Sequence, residues 1–529
     1  MGVYLNPGTG KFERAIKSEI YVDKTGLIKE TNKVLGTEQC YVCISRPRRF
    51  GKSMAANMLT AYYGKGYDSS FIFDQYEIAQ SDDYRKYQNQ YNVISVNMQN
   101  FLSKKENIKE MLAYLQKKVI AELQKLFVDI SAEENCLSEY LDEIYAETGE
   151  MFVIIIDEWD CLLREQKYKE DSQKTYLDFL RDLLKDKAYV ALAYMTGILP
   201  IKKYGTHSAL NIFTEYSMTN PDIFQRFVGF TQDEVKDLCI QYHKDYKEMR
   251  NWYDGYSFPE QNHVYNPKSV VEAIMRNVYA NYWTRTETYE ALKIYIEMNF
   301  DGLKDAVIRM LAGDRVKVNT ERFQNDMTTF KTKDDVLTLL VHLGYLAFCQ
   351  DTSQVYIPNA EIQGEFNNAI EGEHWADVVR LIEDSDRLLE ATWSLDAEQV
   401  AERIDNVHMD NTSILTYNDE NALSCVISLA YYNAANYYTK IRELPAGKGF
   451  ADIVYIPKMN VDKPAMIVEL KYDKSAEGAI SQIREKKYVD SLKNYNGKIL
   501  LVGINYNKTS KKHECIIEEW KKTIAKSHD

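Results

Sequence analysis

The chain has 529 residues, of which 45% are apolar and 27% charged, so it has enough apolar residues for several cores and is not disordered throughout. No apolar run approaches the roughly 20 residues that cross a bilayer, and the N-terminus has no secretion-signal pattern. Eight scattered cysteines exclude a dense disulfide framework, and no histidine or cysteine spacing is typical of zinc. We expect a cytoplasmic protein of about three domains, with no membrane partner.

The net charge of −14 opposes binding to nucleic acid through the whole surface, but the charge is unevenly distributed. From Ile441 onward, 17 Lys and Arg stand against 12 Asp and Glu, whereas the rest of the chain carries 48 against 67. This basic surplus favours a nucleic-acid-binding C-terminal part. The alternative is a solvated Lys-rich tail at KKTIAK.

Within a predicted first domain of residues 1–285, strand-like and helix-like segments alternate from about Cys40 to Thr231, which predicts an α/β core with a parallel sheet and helices on both faces. The predicted strands are CYVCIS from Cys40, NVISVNM from Asn92, MFVIII from Met151 and YVALAYMTG from Tyr189. The predicted helices between them include MAANMLTAYY and NIKEMLAYLQKKVIAELQKLF, whose apolar residues recur at helical spacing. After Thr231 we expect a mostly helical lid containing the segment NWYDGYSF.

The run SRPRRFGKS lies between the first predicted strand and the next predicted helix, which is the context of a phosphate-binding loop. In such a loop, backbone N–H groups and the helix N-terminus surround phosphate oxygens, and a lysine reaches the terminal phosphates. Lys52 fits that lysine. The general motif needs glycine at position 46, where this chain has Arg46 and then Pro47.

An acidic pair at the end of the third predicted strand completes the nucleotide site. Asp157 is predicted to hold Mg²⁺ together with the Ser53 hydroxyl, and Glu158 to orient the attacking water. Thr196 is a sensor of the terminal phosphate or simply caps its strand. Arg226 acts on a neighbouring subunit of a homo-oligomer or is an ordinary surface arginine. The residues assigned to ATP are Arg48, Arg49, Phe50, Gly51, Lys52, Ser53, Met54, Asp157 and Thr196.

Residues 286–409 form a predicted helical connecting region. DDVLTLLVHLG has a helical apolar face and is followed by YLAFCQ, a polar turn and VYIPN. Helix followed by hairpin is typical of the end of a winged helix. Since no basic recognition helix is visible, an ordinary packing module is the alternative.

Residues 410–529 contain a constellation suited to metal-dependent phosphodiester cleavage. Asp452 lies near the start of one predicted strand and Glu469 near the end of the next, so an antiparallel hairpin brings them side by side as Mg²⁺ ligands. Lys471 shares a strand face with Glu469 and would position or deprotonate the attacking water. The alternative is a set of solvated charges, or an inactive remnant.

Three more residues are candidates for this site, each with a structural alternative. Glu420, at the start of ENALSCVISLAYY, would add a third carboxylate. Gln482 and Tyr488, both in the predicted helix AISQIREKKY, would face the cleft and contact the nucleic-acid backbone or order water. For Glu420 or Tyr488 alone, a solvated or packing role is the better interpretation.

Several segments together resemble a bacterial family that joins an AAA-ATPase-like domain to a PD-(D/E)XK nuclease-superfamily domain. They are YVDKT from Tyr21, SRPRRFGKS, IIDEWD, GFT from Gly229, NWYDGYSF, GKGFADIVYIPK and IVELKYDKSAEGAISQI. The family's own phosphate loop reads RPRRFGKS, so the missing first glycine agrees with the resemblance. The resemblance implies ATP for Lys52, Ser53 and Asp157, and a Mg²⁺-dependent nuclease core for Asp452, Glu469 and Lys471, without supplying a substrate.

The leading hypothesis is an ATP-binding and ATP-hydrolysing protein coupled to a nuclease domain that cleaves nucleic acid, with DNA favoured over RNA. One rival is a nucleotide-gated binding or signalling module whose nuclease-like domain is inactive. Another is an ATPase motor whose C-terminal domain is an adaptor.

Overall fold

The computed structural model describes residues 2–105, 107–130, 136–165, 170–201, 210–283, 289–298, 300–321, 323, 330–371, 375–411, 420–446, 449–458, 461–492, 495 and 497–520. The chain divides into two compact units. Met1–Thr288 and Lys317–Glu365 form the first unit, and Tyr289–Val316 and Phe366–Asp529 form the second. None of the described helices combines the length and the apolar composition needed to cross a membrane.

The α-helices are α1 (Gly10–Ile16), α2 (Gly26–Val34), α3 (Lys52–Tyr63), α4 (Ser70–Phe73), α5 (Tyr84–Tyr87), α6 (Met98–Leu102), α7 (Ile108–Leu126), α8 (Leu137–Thr148), α9 (Cys161–Arg164), α10 (Glu170–Leu184), α11 (Gln232–Gln241), α12 (Tyr246–Tyr253), α13 (Pro267–Arg276), α14 (Tyr289–Ile296), α15 (Leu303–Leu311), α16 (Lys333–Leu343), α17 (Ala360–Ala369), α18 (Ala376–Trp393), α19 (Ala397–Asn411), α20 (Glu420–Ala430), α21 (Ala434–Tyr437) and α22 (Ala476–Glu485). The strands are β1 (Tyr41–Ser45), β2 (Asn92–Asn97), β3 (Phe152–Asp157), β4 (Val190–Gly197), β5 (Thr214–Tyr216), β6 (Phe230–Thr231), β7 (Tyr256–Phe258), β8 (Gln261–Tyr265), β9 (Val316–Lys317), β10 (Ala347–Cys349), β11 (Gln354–Tyr356), β12 (Tyr438–Ala446), β13 (Gly449–Pro457), β14 (Ala465–Tyr472), β15 (Ile499–Asn507) and β16 (Lys512–Trp520).

The first unit is built on a parallel sheet of order β2–β3–β4–β1–β5. Its first four strands coincide with the four predicted apolar runs, which confirms the α/β core. Every residue of β3 and β4 is buried, as expected for parallel strands covered on both faces by helices. The edge strand β5 was not predicted, because its three residues are too few to show a period.

The segment after Thr231 is helical only in part. Helix α11 begins there with a capping box, in which Thr231 and Glu234 satisfy each other's backbone N–H groups. The segment NWYDGYSF is divided between two elements: residues 251–253 end α12, and Tyr256–Phe258 forms β7 in an antiparallel sheet of order β6–β8–β7. Aromatic residues alternating with small residues favour a strand here over a helix.

The predicted helix and hairpin after Thr332 are both present. Helix α16 ends at Gly344, whose φ of 88° is the left-handed conformation that glycine adopts without strain. Strands β10 and β11 then pair antiparallel, with Phe348 opposite Val355. This confirms the helix followed by a hairpin that the sequence predicts.

The second unit contains a mixed sheet of order β12–β13–β14–β15–β16. Only β14 and β15 are parallel, and α22 connects them and packs on both. Helix α19 packs on β16, where His513 Nδ1 lies 2.7 Å from a carboxylate oxygen of Asp405. The sequence predicted β13 and β14 and did not predict β12, β15 or β16.

Gly503 lets α22 approach the sheet closely. It lies on β15 beside Glu469 of β14, and a Cβ atom built on it would be 2.7 Å from the carbonyl oxygen of Ala476. Real Cβ atoms do not approach a backbone oxygen so closely. The absence of a side chain at this position therefore fixes the distance between α22 and the strand that carries Glu469.

We predict that Gly503→Ala lowers the free energy of unfolding of the C-terminal domain by about 1–3 kcal/mol, because α22 must move outward. The matched control is Gly478→Ala in α22, which is exposed and meets only the Ser475 hydroxyl at 3.3 Å. It should be neutral or stabilising by up to about 1 kcal/mol. Urea denaturation of both variants tests this, and equal stability of the two would contradict it.

Candidate functional site

The phosphate loop connects β1 to α3 and follows directly after the buried end of β1. Gly51, immediately before α3, has φ 96°, and Arg49 has φ 65°. Two left-handed residues within three positions turn the backbone sharply, and glycine adopts this conformation without steric cost. The turn delivers the chain to the N-terminus of α3, whose free N–H groups favour an anion.

Lys52 is buried at the first turn of α3, with 5% of its surface exposed. Its Nζ donates to the carbonyl oxygen of Pro47 at 2.8 Å. Burial lowers the pKa of Lys52 from 10.5 to about 8, while nearby Glu158 and Asp160 act in the opposite direction. A phosphate oxygen would be a stronger acceptor than the loop carbonyl, and it would favour the charged ammonium.

Asp157 is the last residue of β3, which is separated from β1 by β4. Both of its carboxylate oxygens accept hydrogen bonds. Thr196 of β4 donates to Oδ1, and Asn97 of β2 donates to Oδ2 at 3.0 Å. Thr196 therefore contacts the carboxylate directly. Asn97 was missed by sequence reasoning, although a polar residue at the end of a predicted strand was a usable signal.

Glu158 follows Asp157 in a left-handed conformation, with φ 55°. Its carboxylate pairs with Arg164, and the Nε of Arg164 lies 3.2 Å from Asp160. An ion pair therefore holds the side chain that the sequence assigned to orienting water. The role of Glu158 stays a prediction.

Arg46 occupies the position of the missing first glycine and is fully buried. Its Nη1 donates to the carbonyl oxygens of Ser45 at 2.9 Å and Tyr216 at 3.0 Å, and its guanidinium lies 5.0 Å from the ring centre of Phe258. Burial lowers the pKa of Arg46 to about 9. The arginine that replaces the first glycine of the general motif therefore has a packing role: it connects the loop to β5 and β7.

A cavity of about 970 Å³ adjoins the phosphate loop. Every residue from Arg48 to Met54 lines it, together with Glu158. The Phe50 ring is buried, with its centroid 5.3 Å from that of the Tyr256 ring. Phe50 can therefore contact a ligand only through its backbone. Such a volume is at the upper end for sites of small molecules and cofactors.

Arg226 is exposed and pairs with Glu77 at 3.3 Å in the same chain.

The C-terminal candidate site depends on the antiparallel pairing of β13 with β14. Ile453 lies opposite Val468, so the same register places Asp452 opposite Glu469. The backbone N–H of Leu470 donates to Asp452 Oδ2 at 2.7 Å. The hairpin that the sequence predicts is present, and it brings the two carboxylates together.

Glu469 is the centre of this site, with 1% of its surface exposed. Its Oε1 accepts from Lys471 Nζ at 3.0 Å and from the Gln482 amide, whereas its buried Oε2 accepts from none of the described residues. Burial raises the pKa of Glu469 from 4.5 to about 7, the nearby Asp452 raises it further, and Lys471 opposes the shift.

Gln482 and Tyr488 both belong to the site, but on different elements. The predicted helix is shorter than expected, because α22 ends at Glu485 and Lys487 is left-handed with φ 55°. Tyr488 begins a 3₁₀ turn, and its hydroxyl accepts from Gln482 Nε2 at 3.2 Å. Glu420 begins α20, and its side chain lies outside the described residues.

Asp452 and Glu469 fit a hard divalent cation such as Mg²⁺. A buried carboxylate oxygen without a hydrogen-bond partner, beside a second carboxylate, is an arrangement that a cation stabilises. Among the described residues, no group of three or more His, Cys, Asp or Glu side chains converges to hold a metal. Water or backbone oxygens would complete the coordination, as is common for Mg²⁺.

Two known families match separate parts of the chain. Residues 7–206 match the family described as "Predicted AAA-ATPase", and residues 418–520 match the PD-(D/E)XK nuclease superfamily. The chain therefore joins an AAA-ATPase-like domain to a PD-(D/E)XK nuclease-superfamily domain. These matches include the phosphate loop in the first case and Asp452, Glu469 and Lys471 in the second.

Individual relatives are distant. An "Uncharacterized protein in vnfD 5'region" of Azotobacter chroococcum mcd 1 is 22% identical over 366 residues, covering 66% of each chain, slightly less than two thirds. The Walker-type ATPase PABY2304 of Pyrococcus abyssi matches with 14% identity over 65% of this chain and 94% of its own, with a TM-score of 0.33. The Aeropyrum pernix ORC2 protein matches with 12% identity over 67% and 97%, with a TM-score of 0.30.

We expect the proton occupancy of Lys52 to change when nucleotide binds. Because a bound triphosphate favours its ammonium form, nucleotide binding should take up a proton above pH 8, and affinity should fall as the pH rises further. Calorimetry at pH 8.5 in buffers of different ionisation enthalpy measures the uptake. Lys52→Met should bind ATP weakly, and the exposed Lys29→Met is its control. Proton release on binding would contradict the prediction.

In the metal-free protein, we expect Glu469 to make the stability depend on pH. Its pKa is raised in the folded state, so its contribution to stability is fully present below pH 4.5 and is lost as the pH rises through about 7. With a chelator present, the wild type should lose stability from pH 5 to pH 8 relative to Glu469→Gln, which does not titrate. Thermal unfolding measures this, with the exposed Glu485→Gln as control. Parallel pH profiles for wild type and Glu469→Gln would contradict it.

Proposed function

We propose that the protein is an ATP-regulated, metal-dependent nuclease that acts in the cytoplasm. The observation that carries this proposal is the buried Glu469, which lies opposite Asp452 and is hydrogen-bonded to Lys471. Burying a carboxylate and an ammonium beside a second carboxylate is costly unless the groups are paired or used, and Oε2 of Glu469 has no hydrogen-bond partner among the described residues.

The proposed reaction is hydrolysis of a phosphodiester. Water adds to phosphorus and one P–O ester bond breaks, leaving a phosphate monoester and a hydroxyl. A divalent ion held by Asp452 and Glu469 would acidify its bound water and offset charge on the phosphate. Lys471 would position the attacking water beside Glu469. Gln482 fixes the Glu469 carboxylate, and Tyr488 holds Gln482 in turn.

The nucleotide site supports ATP binding, and we propose that it also hydrolyses ATP. Lys52 would contact the terminal phosphates, and Ser53 and Asp157 would hold the magnesium ion of the nucleotide. Glu158 is the proposed partner of the attacking water, and it would have to leave Arg164 to act directly. ATP binding or turnover would then control access of nucleic acid to the C-terminal site.

We propose nucleic acid as the partner, with DNA as the first substrate to test. The surplus of positive charge from Ile441 onward supports attraction of a phosphate backbone. The charge does not distinguish DNA from RNA, so strands of matched sequence are needed. A homo-oligomer is also proposed, although Arg226 is already paired with Glu77 in its own chain.

A second candidate function is a nucleotide-gated binding module with an inactive nuclease domain. The observation that favours it is that only two carboxylates converge among the described residues, and Lys471 and Gln482 already occupy one oxygen of Glu469. Such a site could grip a phosphate backbone without cleaving it.

With Mg²⁺ or Mn²⁺, and with or without ATP, purified protein should cleave single- or double-stranded DNA. Glu469→Ala and Lys471→Ala should lower the rate by at least about 100-fold, because each removes a group at the reacting phosphate. Gel electrophoresis of labelled strands measures cleavage. Glu485→Ala and Lys508→Ala are the matched controls at exposed positions. Binding without cleavage across metals and substrates would favour the second function, and equal cutting by the variants would defeat the assignment.

A further inference from the structure

A second, smaller cavity adjoins the nucleotide site on the side of Ser53 and Asp157. Its volume is about 400 Å³, and it shares Ser53, Asn97 and Asn100 with the larger cavity. Its other lining residues are Lys11, Arg14, Ala56, Asn57, Ser95, Val96 and Asp157. The lining is mostly polar, and it contains two cations that the sequence analysis did not single out.

Lys11 and Arg14 enter this cavity because the N-terminal segment is attached to β2. Leu5 forms a β-bridge with Ile94, and the Asn6 N–H donates to the carbonyl oxygen of Val93 at 2.8 Å. From this bridge the chain continues into α1, which packs against α3 beside the cavity. The backbone hydrogen bonds thus attach the segment that leads into α1 to β2.

One buried ring keeps α1 in its place. Phe12 is 1% exposed and stacks on Phe73 with a centroid distance of 5.5 Å. Lys11 and Arg14 are three residues apart, so they share one face of the helix. With Phe12 held in the core, that face lies along the cavity.

The two cations lack a carboxylate partner among the described residues. Lys17, the residue that follows α1, pairs with Glu13 at 3.4 Å, whereas neither Lys11 nor Arg14 makes such a pair with a described residue. The carboxylate that lines the cavity is Asp157, whose two oxygens already accept from Thr196 and Asn97. The positive charge at this cavity is therefore available to an anion from outside the chain.

We propose that Lys11 and Arg14 form a subsite for the terminal phosphate of ATP and so let the protein distinguish ATP from ADP. This inference rests on the proposed nucleotide function. A triphosphate that follows the loop to Lys52, with its metal ion at Ser53 and Asp157, ends beside the residues common to the two cavities. ADP lacks the phosphate that would reach the cations. Discrimination then comes from within one chain, without an arginine from a neighbouring subunit.

The test compares two nucleotides on the full-length protein with Lys11 and Arg14 both changed to Ala. A non-hydrolysable ATP analogue with a β,γ-imido bridge should bind to this double variant at least about tenfold more weakly than to the wild type, because two charge-assisted contacts are lost. ADP affinity should not change. Calorimetry measures both affinities, and no turnover is needed.

Two controls separate a local electrostatic effect from a loss of folding. Lys17→Ala removes a charge at the C-terminal end of α1, outside the cavity, and should change neither affinity. The exchange Lys11→Arg with Arg14→Lys keeps both charges and should retain most of the discrimination. Both cations are exposed, so the thermal stability of every variant should match the wild type.

Equal weakening of the analogue and ADP would overturn the inference, since it would show a general role of α1 in the fold or in the whole site. Unchanged analogue binding by the double variant would overturn it as well and leave the proposed ATP binding intact. A wild type that binds neither nucleotide would contradict the proposed function and this inference together.

Discussion

Both candidate sites depend on the register of paired strands. In the first unit, parallel pairing places Asn97 beside Asp157, and the Thr196 of the next strand reaches the same carboxylate. In the second unit, antiparallel pairing places Asp452 opposite Glu469. A shift of one residue in either sheet would turn these side chains to the other face. The backbone hydrogen bonds that form the sheets are thus also what assembles the polar groups.

Burial gives the two sites their electrostatic character. Lys52 and Glu469 are both nearly inaccessible, and in each case burial moves the pKa toward neutrality. Each group retains a limited set of partners: a loop carbonyl for Lys52, and a lysine and an amide on one oxygen of Glu469. A phosphate near the first or a cation near the second would restore the charged form. The sites are therefore arranged to respond to ligands of opposite charge.

The structure also shows how packing contacts set the geometry of the two sites. Arg46 and Phe50 use their side chains to anchor the phosphate loop on β5 and on aromatic residues of β7. Gly503 does the same for the second unit by leaving room for α22, which carries Gln482 to Glu469. Loop and helix positions are determined by these packing contacts as much as by the polar residues themselves.

The sequence by itself determined the two domain types, the four main strands of the parallel sheet, the phosphate loop and the Asp452, Glu469 and Lys471 constellation, because apolar runs with charges at fixed spacing are local signals. Tertiary structure alone decided which distant residues join them. Asn97 on Asp157 and the N-terminal cations beside Ser53 depend on contacts between segments far apart in the chain. The short strand β5 and the end of α22 before Tyr488 could not be predicted from the sequence either. Strand β5 is determined by its pairing with β1, and the end of α22 by one left-handed residue, Lys487. Neither leaves a periodic pattern in the sequence.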